Sequence, residues 1–203
     1  MGPLMEASNV GNENEKRTID LMVEQSEIIE QLRDTYEKYK GRGYQWNRFR
    51  GNTISNIIAH YLGKHLPSNV QLVKLGWVEG CPTEFDILVV DKDVRPIDFT
   101  DAYPKEQVRL LIEIKSSGVY YKRGEVRNRM SEMFERYRVD TGKLVLYFTM
   151  WEAKAHVEEV QAALGNDTAF MLRIEGEDMD YGTFGEWERF LDRVTALLGS
   201  GIA

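Results

Sequence analysis

Two charged side chains interrupt an otherwise apolar segment near the middle of this 203-residue chain. Residues 108–115 have the sequence Val-Arg-Leu-Leu-Ile-Glu-Ile-Lys, and their Leu and Ile content is typical of a strand that is buried on both faces of a sheet. A charge inside such a strand is costly unless it has a partner or binds a metal ion. Because Glu113 and Lys115 are two residues apart, their side chains point to one face of the strand. The segment therefore predicts a charged site within a sheet.

A second apolar segment supplies further carboxylates. Residues 84–90, Glu-Phe-Asp-Ile-Leu-Val-Val, are rich in β-branched and aromatic residues and predict another strand, with Glu84 and Asp86 on one face. If the two strands are neighbours, all these charged groups flank a single spot. Glu84 is then either an additional metal ligand or a carboxylate that faces water where the strand begins.

These groups suit a hard divalent cation, which takes carboxylate and carbonyl oxygens and water. Asp86, Glu113 and the backbone carbonyl of Ile114 offer one open coordination face. Lys115 would lie beside a metal-bound water, where an ammonium stabilises the negative charge that builds up on a phosphate during phosphodiester hydrolysis. A cross-strand salt bridge between Asp86 and Lys115 explains the same residues without any catalysis.

The hydropathy pattern of the whole chain predicts the element order α-α-β-β-β-α-β-α-β-α. Glycine and proline separate most of these elements. The predicted helices cover residues 15–40, 51–66, 124–140 and 153–164, with a last helix at 187–198, and the predicted strands cover residues 70–78, 84–90, 108–115, 143–150 and 168–174.

This order and these residues together resemble the PD-(D/E)XK nuclease superfamily, whose restriction-endonuclease-like core is α-β-β-β-α-β. The Asp of the motif corresponds to Asp86 and the (D/E)XK part to Glu113-Ile114-Lys115, whereas the proline stands at Pro82, four positions before the Asp. The resemblance implies an α/β fold, more strictly α+β with a mixed sheet, that carries an N-terminal helical arm and a C-terminal helix around the core.

A closer resemblance, over residues 51–121, is to NucC-type DNA endonucleases, which are effectors of bacterial anti-phage systems activated by cyclic oligonucleotides. It implies a Mg²⁺-dependent enzyme, with Mn²⁺ as a substitute, that cuts double-stranded DNA. Asp86 and Glu113 would be the metal ligands and Lys115 would lie at the attacking water. Many relatives carry a Glu in the first core helix, where this chain has Asn56, which either holds a ligand or is a capping or solvent-facing amide. The segments that carry the resemblance are Gly51-Asn-Thr, Tyr61-Leu-Gly-Lys-His-Leu-Pro67, Gly76-Trp-Val-Glu and Phe85-Asp-Ile-Leu-Val-Val-Asp91.

DNA binding needs positive charge near this site. Residues 38–50 contain five Lys or Arg and no acidic residue, interleaved with aromatic residues, and a second basic cluster follows the Glu113 strand. Each cluster could also be an ordinary solvated surface, but together with the motif the DNA-binding interpretation is favoured. The predicted DNA-binding residues are Arg42, Arg48, Arg50, Lys122, Arg123 and Arg127.

The formal net charge of −7 disfavours a nucleic-acid partner when the chain is taken as a whole. However, residues 152–203 contain four Lys or Arg and 11 Asp or Glu, which accounts for the entire excess. The acidic total therefore predicts which side of the molecule faces away from DNA.

Three segments are expected along the chain. Residues 1–14 form a disordered tail that begins with a remnant of cloning, residues 15–43 a helical arm, and residues 44–203 the nuclease domain. The apolar face of the arm packs either on its own chain or on a second subunit. Because cutting both strands of a duplex normally takes two active sites, we expect a homo-oligomer, either a dimer or, by the NucC resemblance, a trimer.

The chain has no secretory signal, its apolar stretches are only strand-length, and Cys81 is its single cysteine. These features predict a cytoplasmic protein with no membrane partner. The leading hypothesis is a Mg²⁺-dependent endonuclease of phage defence or restriction, with a cyclic oligonucleotide as a possible activator. The alternatives are a sequence-specific type II-like restriction endonuclease and a catalytically inactive DNA-binding or assembly module with the nuclease fold.

Overall fold

The computed structural model describes residues 4–39, 45–115, 122, 124–174, 183 and 185–199, without the side chains of residues 4–12, 45–48 and 50. These residues form five α-helices and six strands. The helices are α1 (Leu4–Tyr39), α2 (Gln45–Gly63), α3 (Val126–Thr141), α4 (Lys154–Leu164) and α5 (Glu186–Gly199). The strands are β1 (Val70–Val78), β2 (Glu84–Asp91), β3 (Ala102–Tyr103), β4 (Val108–Lys115), β5 (Val145–Thr149) and β6 (Ala169–Met171).

The strands form one mixed sheet in the order β3-β1-β2-β4-β5-β6. The central pairs, β1 with β2 and β2 with β4, are antiparallel, whereas β4 pairs parallel with β5, and β5 with β6. The parallel connection from β4 to β5 runs through α3, as a crossover connection requires. The succession α2-β1-β2-β4-α3-β5 confirms the predicted α-β-β-β-α-β core.

Both faces of the central strands are covered. Leu110, Ile112 and Ile114 of β4 pack in a core with side chains of α1, α2 and α5. Val108 and Leu111 pack in a second core with side chains of α3 and α4. The prediction that this strand is buried on both faces is confirmed, and the charges of Glu113 and Lys115 lie at its carboxyl end.

Helix α1 is part of the domain core. Its buried side chains Leu21, Ile28 and Leu32 belong to the same core as Trp187 of α5, and the indole N–H of Trp187 donates a hydrogen bond of 2.7 Å to Glu24 of α1. The arm therefore packs on its own chain. None of the helices within the described ranges, including the 36-residue α1, is apolar enough to span a bilayer.

The helix, strand and loop boundaries differ from the predictions in several places, among them β6, which covers Ala169–Met171 within the strand predicted at residues 168–174. Helix α1 begins at Leu4, so residues 4–14 are helical where the sequence predicts a tail, because a helix extends at little cost once it is nucleated. The connection between the predicted strands 84–90 and 108–115 contains the two-residue strand β3 and a 3₁₀-helix, Lys105–Gln107. Helix α2 begins at Gln45, before the predicted start at residue 51, and the glycines at residues 41 and 43 that separate the first two predicted helices lie outside the described residues.

Gly76 provides a test of packing between β1 and β2. A Cβ at this position would lie 2.7 Å from Cδ1 of the fully buried Leu88 and 3.1 Å from Cγ1 of Val73. We expect Gly76→Ala to lower the free energy of unfolding by about 1–3 kcal/mol because the core is overpacked. Far-UV circular dichroism during urea unfolding measures this change.

The matched control is Gly51→Ala in α2. A Cβ there meets no heavy atom within 4 Å, and Ala is favoured over Gly inside a helix by up to about 1 kcal/mol. The two substitutions should therefore change stability in opposite directions. A Gly76→Ala protein as stable as the wild type would contradict the described packing.

Candidate metal-dependent active site

Strands β2 and β4 stop pairing through their backbones just before the charged residues. Their ladder runs from Val90 opposite Val108 to Ile87 opposite Ile112. Two residues beyond Ile112 in β4, the N–H of Ile114 donates to Oδ2 of Asp86 at 2.7 Å. A side-chain carboxylate thus takes the place of a strand carbonyl and holds Asp86 between the two central strands.

The other oxygen of Asp86 is held from the helix layer. Ser55 of α2, which is 2% exposed, donates its hydroxyl to Oδ1 of Asp86 at 3.3 Å. The N–H and C=O of one strand residue point toward the same neighbouring strand, so the carbonyl of Ile114 lies on the side of β4 that faces Asp86. This is the position that the predicted carbonyl ligand requires.

Glu113 and Lys115 share the face of β4 that α3 covers, together with Leu111. The ammonium of Lys115 donates to Oε1 of Glu113. Glu113 is 6% exposed, whereas 39% of the Lys115 side chain is exposed, so the ammonium lies at the boundary with solvent. Lys115 therefore pairs with the carboxylate two residues before it, and not in the cross-strand salt bridge with Asp86 that the sequence left open.

Burial dominates the electrostatics of this site. It raises the pKa of Glu113, an effect that Lys115 opposes and Asp86 reinforces. Burial also raises the pKa of Asp86, against the opposing effects of the Ile114 N–H, of Lys115 and of the Ser55 hydroxyl. Burial by itself lowers the pKa of Lys115, but the two carboxylates outweigh it and the pKa is raised. The buried Glu113 and the half-buried Asp86 therefore share one cationic group, so the three side chains carry an excess of acidic groups.

This donor set fits a hard divalent cation. The oxygens of Asp86, Glu113 and Ile114 are the ligand types that Mg²⁺ prefers, and Mg²⁺ usually keeps several waters beside one or two carboxylates. The described residues contain no group of three or more His, Cys, Asp or Glu side chains that could hold a metal ion. A metal here would therefore depend on two carboxylates, a carbonyl and water, which suits Mg²⁺ or Mn²⁺ better than Zn²⁺.

The two accessory candidates do not take part in these contacts. Glu84 is exposed at the start of β2, and Asn56 is exposed on α2. The helix residue that contacts Asp86 is Ser55, one position before Asn56. Ser55 could not be predicted from the sequence, because helical periodicity does not distinguish a buried serine that contacts the site from one that only fills the apolar face.

Tyr137 of α3 was also missed as a neighbour of the site. It lies within the helix predicted at residues 124–140, and it is buried and packs edge-to-face with Phe85 at a centroid distance of 5.2 Å. Burial raises the pKa of its phenol, and the nearby Glu113 raises it further. Its hydroxyl is therefore a neutral polar group on the α3 side of the site.

The predicted DNA-binding residues are only partly described. Lys122 and Arg127 are exposed where α3 begins, after the end of β4. Arg48 and Arg50 lie in α2, but their side chains are outside the described part of the chain, and Arg42 and Arg123 lie outside it entirely. Their role in DNA binding stays a prediction.

No protein-family model and no curated protein matches the chain. Solved structures do match. The chain resembles NucC of E. coli MS115-1 in its cAAA-bound form with a TM-score of 0.63 and 14% sequence identity, over 91% of this chain and 90% of NucC. The cAAA-bound NucC of P. aeruginosa ATCC27853 gives a TM-score of 0.61 and 16% identity, over 91% of each chain.

The chain has the NucC fold. The fold that the sequence resemblance implies is therefore confirmed, and the likeness extends over nearly the whole length of both chains. At this level of identity the similarity concerns the fold, so the activity must be argued from the residues of the site.

Glu113→Gln tests how much the buried negative charge of Glu113 lowers the free energy of unfolding. The folded pKa of Glu113 lies above its ordinary value of 4.5, so folding disfavours the ionised form. We expect the neutral amide to raise the free energy of unfolding at pH 7 by about 1 kcal/mol. The gain should shrink as the pH falls through the folded pKa and vanish below the unfolded pKa. Urea unfolding at pH 4 and pH 7 in EDTA measures both values.

Lys115→Met is the matched variant, and it should change the free energy of unfolding in the opposite direction. It leaves the carboxylate of Glu113 buried without its cationic partner. We expect this substitution to lower the free energy of unfolding at pH 7 by about 1–2 kcal/mol. If Glu113→Gln were instead less stable than the wild type at pH 7, the ion pair would outweigh the desolvation of the carboxylate.

Proposed function

We propose that the protein is a divalent-metal-dependent endonuclease that hydrolyses double-stranded DNA in phage defence or restriction. The observation that carries the proposal is the convergence of Asp86, Glu113 and Lys115 on neighbouring strands β2 and β4. The buried carboxylate of Glu113, the half-buried carboxylate of Asp86 and one ammonium at the solvent boundary form a site that can bind a cation and an anionic substrate together. The NucC fold supports this proposal.

Each residue of the site would have a different role in metal binding and hydrolysis. Asp86, Glu113 and the carbonyl of Ile114 would hold Mg²⁺, or Mn²⁺ in its place. The bound cation supplies a Lewis acid for the phosphate and lowers the pKa of a water. Lys115 would leave its contact with Glu113 and orient the attacking water, and its charge would stabilise the phosphate as negative charge builds up. The hydrogen bonds to both oxygens of Asp86 keep that carboxylate in position before substrate arrives.

DNA would approach from the side on which α3 begins. Lys122 and Arg127 are exposed there and follow the strand that carries Glu113. Arg42, Arg48, Arg50 and Arg123 are proposed to extend this basic surface. The acidic excess lies in residues 152–203, so the net charge of −7 does not oppose binding at the basic side.

A homo-oligomer and a cyclic oligonucleotide activator complete the proposal. Two active sites are needed to cut both strands of a duplex, and Ile19, Val23 and Phe99 are large apolar side chains that remain exposed on the single chain. The matching NucC structures contain cAAA, which makes cAAA the ligand to test for activation here.

Plasmid cleavage tests the activity. We expect the wild-type protein to nick or degrade supercoiled plasmid in Mg²⁺ or Mn²⁺, with and without cAAA as separate reactions. Glu113→Gln and Lys115→Ala should each reduce the rate at least about 100-fold, because the first removes a charged metal ligand and the second removes the ammonium that stabilises the phosphate. Agarose gels and sequencing of the cleaved ends measure the rate and the pattern.

Asp91→Asn and Arg109→Ala are matched controls on the same two strands. Asp91 of β2 and Arg109 of β4 form an ion pair of 2.6 Å at the opposite end of the sheet, and both variants should cleave like the wild type. Equal cleavage by Glu113→Gln, Lys115→Ala and wild type would contradict the proposal. Discrete fragments would favour a restriction endonuclease, whereas metal binding without cleavage would favour an inactive DNA-binding module.

The basic surface can be tested separately from catalysis. In EDTA, the double variant Lys122→Ala/Arg127→Ala should bind a labelled duplex more weakly, and the slope of log K against log salt should become shallower by about 2, since each phosphate contact contributes about 0.9. Fluorescence anisotropy at several salt concentrations gives both quantities. Arg17→Ala, on α1 and paired with Asp192 at 2.6 Å, is the control, and an equal loss in that variant would exclude a local basic surface.

A further inference from the structure

We propose that Ser55 is a positioning residue that orients Asp86 for metal binding, an inference that rests on the proposed metal-dependent function. Ser55 does not need to touch the metal or the DNA in this role. Its hydroxyl reaches Asp86 from α2, across the boundary between the helix layer and the sheet.

The carboxylate of Asp86 is held at both oxygens by donors from different elements. Ser55 of α2 donates to Oδ1 at 3.3 Å, and the backbone N–H of Ile114 in β4 donates to Oδ2 at 2.7 Å. The terminal torsion of an aspartate is broad, so one hydrogen bond leaves the plane of the carboxylate free to turn. The second donor fixes that plane, and it thereby fixes the direction of the lone pairs that remain for a cation.

The hydrogen bond of Ser55 differs from the local bonds of three other helical hydroxyls, and it resembles that of Thr18 in α1, which donates to Glu188 of α5 at 3.3 Å. Ser26, Thr53 and Thr141 each donate to the carbonyl four residues earlier, at 3.0, 2.9 and 2.7 Å, which is the common local bond for such side chains. Ser55 instead donates to a residue 31 positions away. A buried hydroxyl must find a partner, and here the partner is a proposed metal ligand.

Ser55 is buried at 2% exposure between apolar helix residues, where a small apolar side chain would also pack. Its helix neighbours Ile54 and Ile58 are buried in the core shared by α1, α2 and α5. An alanine would fit this environment with a small loss of volume. The polar atom of Ser55 is therefore best explained by its contact with Asp86.

Loss of a group that orients a metal ligand typically lowers metal affinity or activity 10- to 100-fold. For a single neutral hydrogen bond of 3.3 Å we expect the lower end of this range. Ser55→Ala should weaken Mn²⁺ binding about tenfold, and it should raise the Mn²⁺ concentration for half-maximal cleavage by the same factor. The rate at saturating Mn²⁺ should fall much less, because the ligands themselves remain.

Calorimetric titration of the full chain with Mn²⁺ gives the affinity directly, and a metal-dependence curve of plasmid cleavage gives the second readout. Thr53→Ala is the matched control, since it removes a hydroxyl from the same helix that bonds only to the carbonyl of Phe49. It should bind Mn²⁺ like the wild type. Ser55→Cys keeps a weaker hydrogen-bond donor, so its Mn²⁺ affinity should lie between those of the wild type and Ser55→Ala. This variant also provides a result if Ser55→Ala folds poorly.

The outcomes for Ser55 and for the nuclease activity are distinguishable. An unchanged Mn²⁺ affinity in folded Ser55→Ala, beside a wild type that cleaves DNA, would overturn the role of Ser55 and leave the proposed function intact. If Ser55→Ala weakens Mn²⁺ binding but the wild-type protein does not cleave DNA, the positioning role of Ser55 is supported and the proposed endonuclease function is overturned. A wild type that does not bind Mn²⁺ would overturn both.

Discussion

The hydrogen bond from the N–H of Ile114 to Asp86 determines how this site is built. The central strands β2 and β4 pair as far as Ile87 and Ile112, and beyond that point the carboxylate of Asp86 satisfies the backbone of β4. A buried N–H without a partner is costly, so the carboxylate and the strand stabilise one another. The same contact keeps a charged side chain in the centre of the fold, beside Glu113, where burial would otherwise exclude it.

Much of the fold could be predicted from the sequence because its elements are strongly patterned. The β4 segment shows its burial through consecutive Leu and Ile residues, and the charges of Glu113 and Lys115 stand out against them. The residues around the site were harder to predict from the sequence, since Ser55 and Tyr137 look like ordinary members of apolar helix faces. Their importance comes from tertiary contacts with Asp86 and with the surroundings of Glu113, which no local period encodes. The short strand β3 was missed because two residues carry no measurable alternation.

Charge is distributed unevenly along the chain, and this distribution matters more for DNA binding than the net charge of the whole chain. The carboxylates of the site are buried in Glu113 and half-buried in Asp86 and share one ammonium, whereas the surface near the start of α3 exposes Lys122 and Arg127. The acidic excess belongs to residues 152–203. A formal charge of −7 for the whole chain is therefore compatible with locally exposed cationic side chains and a locally acidic site.

The packing of α1 against α5 sets the order in which this domain can be completed during synthesis. The face of α1 that carries Ile28 is made early, but Trp187, its partner in the same core, is made about 160 residues later. At translation rates of roughly 5–20 residues per second, that interval is roughly 10–30 seconds. All the residues of the site, from Ser55 to Lys115, emerge within it. The nascent chain thus carries its charged site before the helical layer behind that site is closed.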